Sequence, residues 1–408
     1  MRIRFKTILI LAALMLAASS CDDKNKITVP PPSGKTAAEE NGQGNNNEGN
    51  NEGGNNGQGN GDDTGSTATL CKEEYLGQSP RIIAYLTEYT DASSLDASCV
   101  THINYAHGRF KNPKTGDGGI EIAKTDLLKK VVALKDKKPT LKVLLMIGGW
   151  GEHADGFSMM ARDAAKRTEF CQSVKSHIDT YGLDGVDIDW EYPGGGPSTN
   201  GKSNDDAKNF NLVLKELRET LGDTKIISYA SSSSAGYVEW SGAMKYLDYV
   251  NVMTYDMGKP PKHNSPLRKS SVFNQTGCEE SIELHRKAGV PLSRMNLGVP
   301  FYGHGISPYA SDVKYNEMAT ILKATSGSYA GKNTRRWDDV AKVPYLVDAA
   351  GTILLSYDDP ESVAYKGQFV IEKKLGGAMF WEYRHDDSNH SMLKALCTAM
   401  YGKESTTD

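Results

Sequence analysis

From Arg81 onward the chain alternates two patterns. Short apolar runs recur at Arg81–Leu86 (RIIAYL), Thr101–Ala106 (THINYA), Lys142–Gly149 (KVLLMIGG) and Gly185–Glu191 (GVDIDWE). They continue at Lys225–Ala230, Tyr249–Tyr255, Met295–Tyr302 and Gly376–Tyr383. Runs of this length, rich in Val, Ile and Tyr, read as β-strands. Between them lie helical spacings. Phe170, Val174 and Ile178 fall one turn apart, with Gly182 as a stop signal. Phe210, Leu214, Leu217 and Leu221 share one face, and Gly222 ends that helix. Strands separated by helices pair in parallel, and near-continuous apolar strands are covered on both faces. Eight such units predict an α/β fold, a closed (β/α)8 TIM barrel, whose active site lies at the C-terminal ends of the strands.

The rhythm breaks between Gly303 and about Ser356, where short β-like pieces such as RRWDDVAKVPYLVD replace the helix. This predicts an α+β insertion between strand seven and helix seven. The helix resumes near Asp359–Lys374.

The first seventy residues follow neither pattern. Met1–Ser20 has a basic start, an apolar run from Ile8 to Ala18 and small residues at its end, the form of a secretory signal. The apolar run is short for a membrane span. It stops at Cys21 in AASSCDD, which resembles a bacterial lipobox with Cys21 as the acylated residue; an ordinary signal followed by a chance Cys is the alternative. The stretch 21–70 is Asn-, Gly- and Glu-rich, with almost no apolar residue between Thr36 and Ala68. Such a segment buries too little surface to offset chain ordering and reads as a disordered linker. The expected location is the bacterial cell envelope, lipid-anchored at the outer membrane, or secretion. About 335 residues remain, from Cys71 to Lys403, ahead of a short tail, a normal size for a barrel with an insertion.

Charge and cysteines narrow the classes. With 47 basic and 51 acidic residues the net charge is −4, and no basic cluster suggests nucleic acid. Cys71, Cys99, Cys171, Cys278 and Cys397 form no CxxC spacing; at most two disulfides fit, and the pairing stays open. The nine histidines show no HExxH spacing, and neither a metal nor a cofactor is expected. A monomer is expected.

The chemistry concentrates in Leu183–Gly194, LDGVDIDWEYPG. Asp187, Asp189 and Glu191 alternate with Val186, Ile188 and Trp190. Period-two geometry sets the three acids on one side, roughly 6–7 Å apart. Close carboxylates in a poorly solvated place do not all stay ionised without cost, so the arrangement calls for a reason. A hard-cation site is the alternative, but calcium favours flexible oxygen-rich loops over a strand with Val, Ile and Trp between the acids.

DGVDIDWE resembles the DxxDxDxE signature of glycoside hydrolase family 18, chitinase-like branch. MIGGW (Met146–Trp150), MTYD (Met253–Asp256), GVPFYG (Gly298–Gly303) and GGAMFWE (Gly376–Glu382) resemble further family motifs in barrel order, and the likeness covers roughly Arg81 to Tyr401. The resemblance implies a retaining, endo-acting hydrolase of β-1,4-linked N-acetylglucosamine working by substrate-assisted catalysis. It implies Glu191 as general acid and then base, Asp189 as partner of the acetamido N–H, Asp187 as sharer of its proton, and Tyr255 as donor to the acetamido oxygen. It implies sugar contacts for Tyr85, Gly149, Trp150, Met253, Asp256, Tyr302 and Trp381. Without the motifs, Trp150, Trp381, Tyr85, Tyr302 and Met253 would read as core residues. The partner expected is an N-acetylglucosamine-containing polysaccharide or oligosaccharide. An enzyme releasing N-glycans from glycoproteins, or a non-catalytic glycan-binding barrel, are the competing readings. Three departures stand out. The family's serine in SxGG is Met146 here, which removes a hydrogen-bond partner expected for Asp187. His304 replaces a frequent Arg, and His107 a frequent Phe; both read as satisfied polar residues rather than catalysts.

Overall fold

In a computed structural model the protein is described over residues 80–198, 201–270 and 273–402. The signal, Cys21, the linker, Cys71 and the tail lie outside the described residues. The strands are β1 (Arg81–Thr87), β2 (His102–Asn112), β3 (Asp117–Ile122), β4 (Lys142–Gly149), β5 (Gly185–Trp190), β6 (Ile226–Ser232) and β7 (Tyr249–Met253). They continue as β8 (Met295–Pro300), β9 (Tyr302–Gly305), β10 (Asp312–Lys314), β11 (Thr334–Asp338), β12 (Val343–Val347), β13 (Ile353–Ser356) and β14 (Gly377–Trp381). The helices are α1 (Thr125–Ala133), α2 (Phe157–Ala161), α3 (Ala164–Tyr181), α4 (Asp206–Leu221), α5 (Trp240–Ala243), α6 (Cys278–Lys287), α7 (Met318–Leu322), α8 (Pro360–Glu372) and α9 (Ser391–Tyr401).

Eight parallel strands run in the order β1-β14-β8-β7-β6-β5-β4-β2, and the β1–β2 pairing closes the barrel. The α/β reading therefore stands. Beyond it, β2 continues past the barrel and pairs antiparallel with β3, a hairpin that the strand read at Thr101–Ala106 does not include. The stretch after β1 forms a short 3-10 turn, Ala92–Ser94, in place of a helix.

The helices sit where their apolar spacing put them. On α3, Asp163 caps the start by accepting from Ala165 and Lys166 N–H, and Gly182 ends it in the left-handed region at φ 66°. Its buried face, Phe170, Val174 and Ile178, joins the outward residues of the barrel strands in one shell of core. Burying each such side chain stabilises the fold by about 1.5–3 kcal/mol before entropy. On β5, Val186, Ile188 and Trp190 belong to that outer shell. Asp187 and Asp189 take the opposite face, towards the barrel axis, where Tyr85, Met146, Ala230, Tyr249 and Met379 form the inner cluster. The apolar half of the alternation thus holds the strand, and the polar half faces the axis.

The insertion is an antiparallel five-stranded sheet, β10-β9-β13-β12-β11, with its own core of residues including Val313, Met318, Ile321, Leu346, Leu355 and Tyr357. It begins at β9, one residue after β8. Polar contacts dock it on the loop after β7: His263 bonds Asp338 at 3.1 Å, Ser270 bonds Asp338 at 2.8 Å, and Asn264 N–H donates to Ser356 at 3.0 Å. Cys99 pairs with Cys397 (Cα–Cα 5.9 Å), while Cys171 and Cys278 are free and buried. Among the described residues no helix is long and apolar enough to cross a membrane.

Candidate active site

A cleft of about 900 Å³ opens at the C-terminal ends of the barrel strands. Its lining brings together Tyr85, Gly149, Trp150, Asp189, Glu191, Met253, Tyr255, Asp256, Tyr302 and Trp381, all of the cleft residues expected from the sequence. Asp187 is the exception. It lies below the cleft floor with no exposed surface, one step down β5 from Asp189.

Asp187 is held by three donors. Tyr85 Oη donates to Oδ2 at 2.7 Å. Ser228 Oγ and Asn251 Nδ2 donate to Oδ1 at 2.6 and 3.0 Å. Burial raises its pKa to about 6, and the hydrogen bonds keep it from rising further. The gap expected from Met146 is therefore filled. Met146 faces Asp187 from β4, as an apolar neighbour, while Ser228 faces it in register from β6 on the other side.

Asp189 is different. It is buried, its Oδ1 has no hydrogen-bond partner, and it lines the cleft. Burial, then the charges of Glu191 and Asp187, push its pKa well above the usual carboxylate range. An orphaned, buried acceptor at a cleft floor costs stability unless something fills it. Glu191, at the end of the ridge, is pushed up to about 7 by burial and by the charge of Asp256, against a hydrogen bond from Tyr192. Its proton is therefore retained near neutrality, as a general acid requires.

The walls are aromatic and polar. The Trp381 ring lies 5.7 Å from that of Tyr85 and 6.2 Å from that of His107. Trp150 stands 62% exposed at the rim after β4. Tyr255 Oη meets Met379 Sδ at 3.9 Å, a weak contact that leaves the hydroxyl available to a ligand. Tyr302 donates to Asp256 at 2.7 Å, and His304 Nε2 sits 2.7 Å from the same oxygen. His107 stacks on His153 at 4.7 Å and bonds Glu88 at 2.9 Å. Tyr85 has a double role, since it lines the cleft and also bonds the buried Asp187.

Asp184, the first acid of the motif, is not part of the site. It accepts the Val143 N–H at 2.7 Å and pairs with Lys135 at the far end of the barrel. Sequence reasoning missed Ser228, Asn251, His153 and Glu88. Ser228 and Asn251 are polar positions inside strands, but nothing local in the sequence sets them against Asp187. Among the described residues no group of three or more His, Cys, Asp or Glu side chains has metal-holding geometry.

A family model, "Glycosyl hydrolases family 18", matches residues 81–386. The chain belongs to this family. Chitinase A1 of Niallia circulans is 33% identical over 394 residues, which cover 76% of this chain and 56% of that protein. Among solved structures, chitinase ChiW from Paenibacillus sp. str. FPU-7, a cell-surface-expressed multi-modular enzyme, aligns at TM-score 0.68 and 29% identity, covering 80% of this chain and 43% of ChiW. A family 18 N-acetylglucosaminidase from Paenibacillus barengoltzii aligns at TM-score 0.66 and 29% identity, covering 78% of this chain and 99% of that one. The family 18 chain described here thus spans about half the length of the first two relatives.

Proposed function

We propose that this family 18 protein is a retaining, endo-acting hydrolase of β-1,4-linked N-acetylglucosamine, chitin or its oligomers, and that the acetamido group of the substrate is the nucleophile. The observation that carries the proposal is the ridge on β5: Asp187 clamped below, Asp189 with an unpartnered oxygen at the cleft floor, and Glu191 with a retained proton above. A second carboxylate acting as nucleophile would have to be ionised, whereas burial and like charge favour the protonated form of Asp189.

In the forward step the acetamido carbonyl oxygen attacks its own anomeric carbon. Glu191 gives its proton to the departing glycosidic oxygen. Asp189 accepts the acetamido N–H at its free Oδ1 and stabilises the positive oxazolinium that forms. As the ring closes, the proton held by the pair moves from Asp189 to Asp187, which leaves the pair's negative charge on Asp189 beside the oxazolinium. Tyr255 donates to the acetamido oxygen. Glu191, now ionised, takes a proton from water, which opens the oxazolinium at the anomeric carbon and leaves the configuration retained. The face of Trp381 suits the C–H face of the reacting sugar.

The chitinases among the relatives support a linear N-acetylglucosamine substrate, and the wall raised by the insertion supports endo cleavage. Digestion of chitotetraose, with a high-mannose glycoprotein in a parallel reaction, tests this. Chitobiose as the first product is expected. Release of the monosaccharide alone would mean exo action, and release of whole glycans with untouched chitotetraose would overturn the substrate. We also propose that Cys21 is lipidated and tethers the barrel through the Asn/Gly-rich stretch. A Cys21→Ser change is expected to move the protein from the membrane fraction to the soluble one.

A further inference from the structure

His304 stands on β9 with both ring nitrogens against oxygen atoms. Nε2 lies 2.7 Å from Asp256 Oδ1. Nδ1 lies 2.9 Å from the Ser311 carbonyl oxygen and 3.0 Å from Asp312 Oδ1. A carbonyl and an ionised carboxylate accept hydrogen bonds and donate none, while neutral imidazole carries one N–H and one lone pair. Either neutral tautomer would point its lone pair at an acceptor. The surroundings therefore select the imidazolium, with an N–H on each nitrogen.

Asp256 is the residue this cation holds. Its backbone is left-handed at φ 56°, and its N–H donates to Asn264 Oδ1 at 2.9 Å. Its carboxylate also accepts from Tyr302, and 59% of its side chain stays exposed in the cleft. Glu191 feels its negative charge.

We propose that His304 is a positioning residue: its doubly donating imidazolium fixes the Asp256 carboxylate in the cleft wall and offsets its charge at Glu191. This rests on the reading of Glu191 as the general acid and deepens it, because it adds a second proton site that governs the first. The titratable groups around the ring are Asp256 from the loop after β7, Asp312 and Lys314 from β10, and Tyr302 from β9 itself. On the other edge, β13 offers Leu355 and Ser356 and no charge. Burial alone would lower the His304 pKa, but the bonds to Asp256 and Ser311 and the charges of Asp256 and Asp312 outweigh it, and the net direction is up. When that proton leaves, a lone pair faces an acceptor, the grip on Asp256 loosens, and its unmatched charge tightens the hold of Glu191 on its own proton.

The test has two readouts on the full chain. The first is a proton–carbon NMR titration of the histidine Cε1 signals, with His304 assigned by the resonance missing in His304→Gln and, independently, in His304→Arg. The midpoint is expected above 6.5, the ordinary value, and should fall in Asp256→Asn. The second is the pH profile of kcat/KM on a defined N-acetylglucosamine oligomer. His304→Gln should lower kcat/KM by about tenfold, the scale of one lost charged hydrogen bond, and move the alkaline limb upward. His304→Arg, a cation that does not titrate, should restore most of the rate with the limb near its original place. A midpoint at or below 6.5, or a His304→Gln profile that superimposes on the parent, overturns the proposal. If no oligomer is cleaved by the parent protein, the assignment of the reaction fails instead, and the NMR titration still decides whether His304 is the held cation.

Discussion

Burial would leave Asp187 and Asp189 of β5 and Glu191 just after it neutral, and the donors around each one decide how far that goes. Asp187 has Tyr85, Ser228 and Asn251 and settles at about 6; Glu191, with fewer donors, sits at about 7. Asp189, without a partner on Oδ1, is pushed well above the usual carboxylate range by burial and then by the charges of Glu191 and Asp187. The protons belong to the coupled set rather than to single residues. On the proposed mechanism, activity should fall as pH rises through about 7, where Glu191 loses its proton. Glu191→Gln should cut hydrolysis by about 10²–10⁴, with the affinity for an oligomer changed little; turnover at the parent rate would remove Glu191 from the acid role. Ser228→Ala removes a bond that favours the charged form of Asp187. Its pKa should rise, so the acid limb of the kcat/KM profile should move to higher pH and the peak rate should fall several-fold, about the effect of one such bond. An acid limb in the same place would show that Ser228 does not tune the pair.

At the scale of elements, the position of the ridge depends on the neighbouring strand. A Cβ on Gly148 of β4 would lie 2.2 Å from the Asp189 carbonyl oxygen, and its φ of 107° is one that other residues rarely adopt. Gly148→Ala should push β5 outward, cost about 1–3 kcal/mol in urea unfolding and lower kcat more than it raises KM. Wild-type stability and kcat would refute the close-approach argument. The same strands show what the sequence could disclose. Asp187 and Asp189 were legible because period-two alternation with Val186, Ile188 and Trp190 is a local property of one strand. Ser228 and Asn251 were not assigned, because what sets them against Asp187 is the register between strands, and a serine inside an apolar run has no local mark of it. The β2–β3 hairpin also went unread, although Pro113, Gly116 and the glycines at 118 and 119 punctuate it. Its apolar positions, Phe110, Ile120 and Ile122, are too few to form a run of their own. The insertion was visible as a break in the helix rhythm, but that it starts at Tyr302 and so delivers His304 to the cleft wall depends on tertiary docking through Asn264 and Ser356.

Across the whole molecule, the barrel is closed twice. Hydrogen bonds join β1 to β2 and β14, and the Cys99–Cys397 bridge ties the stretch before β2 to α9 across 298 residues of sequence. A cross-link over so long a loop removes much of the freedom of the unfolded chain, and Cys397→Ser should lower unfolding stability by about 2–5 kcal/mol. Because the bridge lies away from the cleft residues, kcat/KM at low temperature should stay close to the parent value; an unchanged urea midpoint would show that the bridge contributes nothing. The fold also sets the depth of the site, with the barrel supplying the acids and the five-stranded sheet supplying a wall. All of this serves the central claim, that the acetamido arm of the substrate attacks while the carboxylates of β5 only hold, give and take protons. The most direct test is the anomeric configuration of the first product of chitotetraose hydrolysis, followed by proton NMR before mutarotation. The β-anomer appearing first is the predicted result, and the α-anomer appearing first would contradict the account.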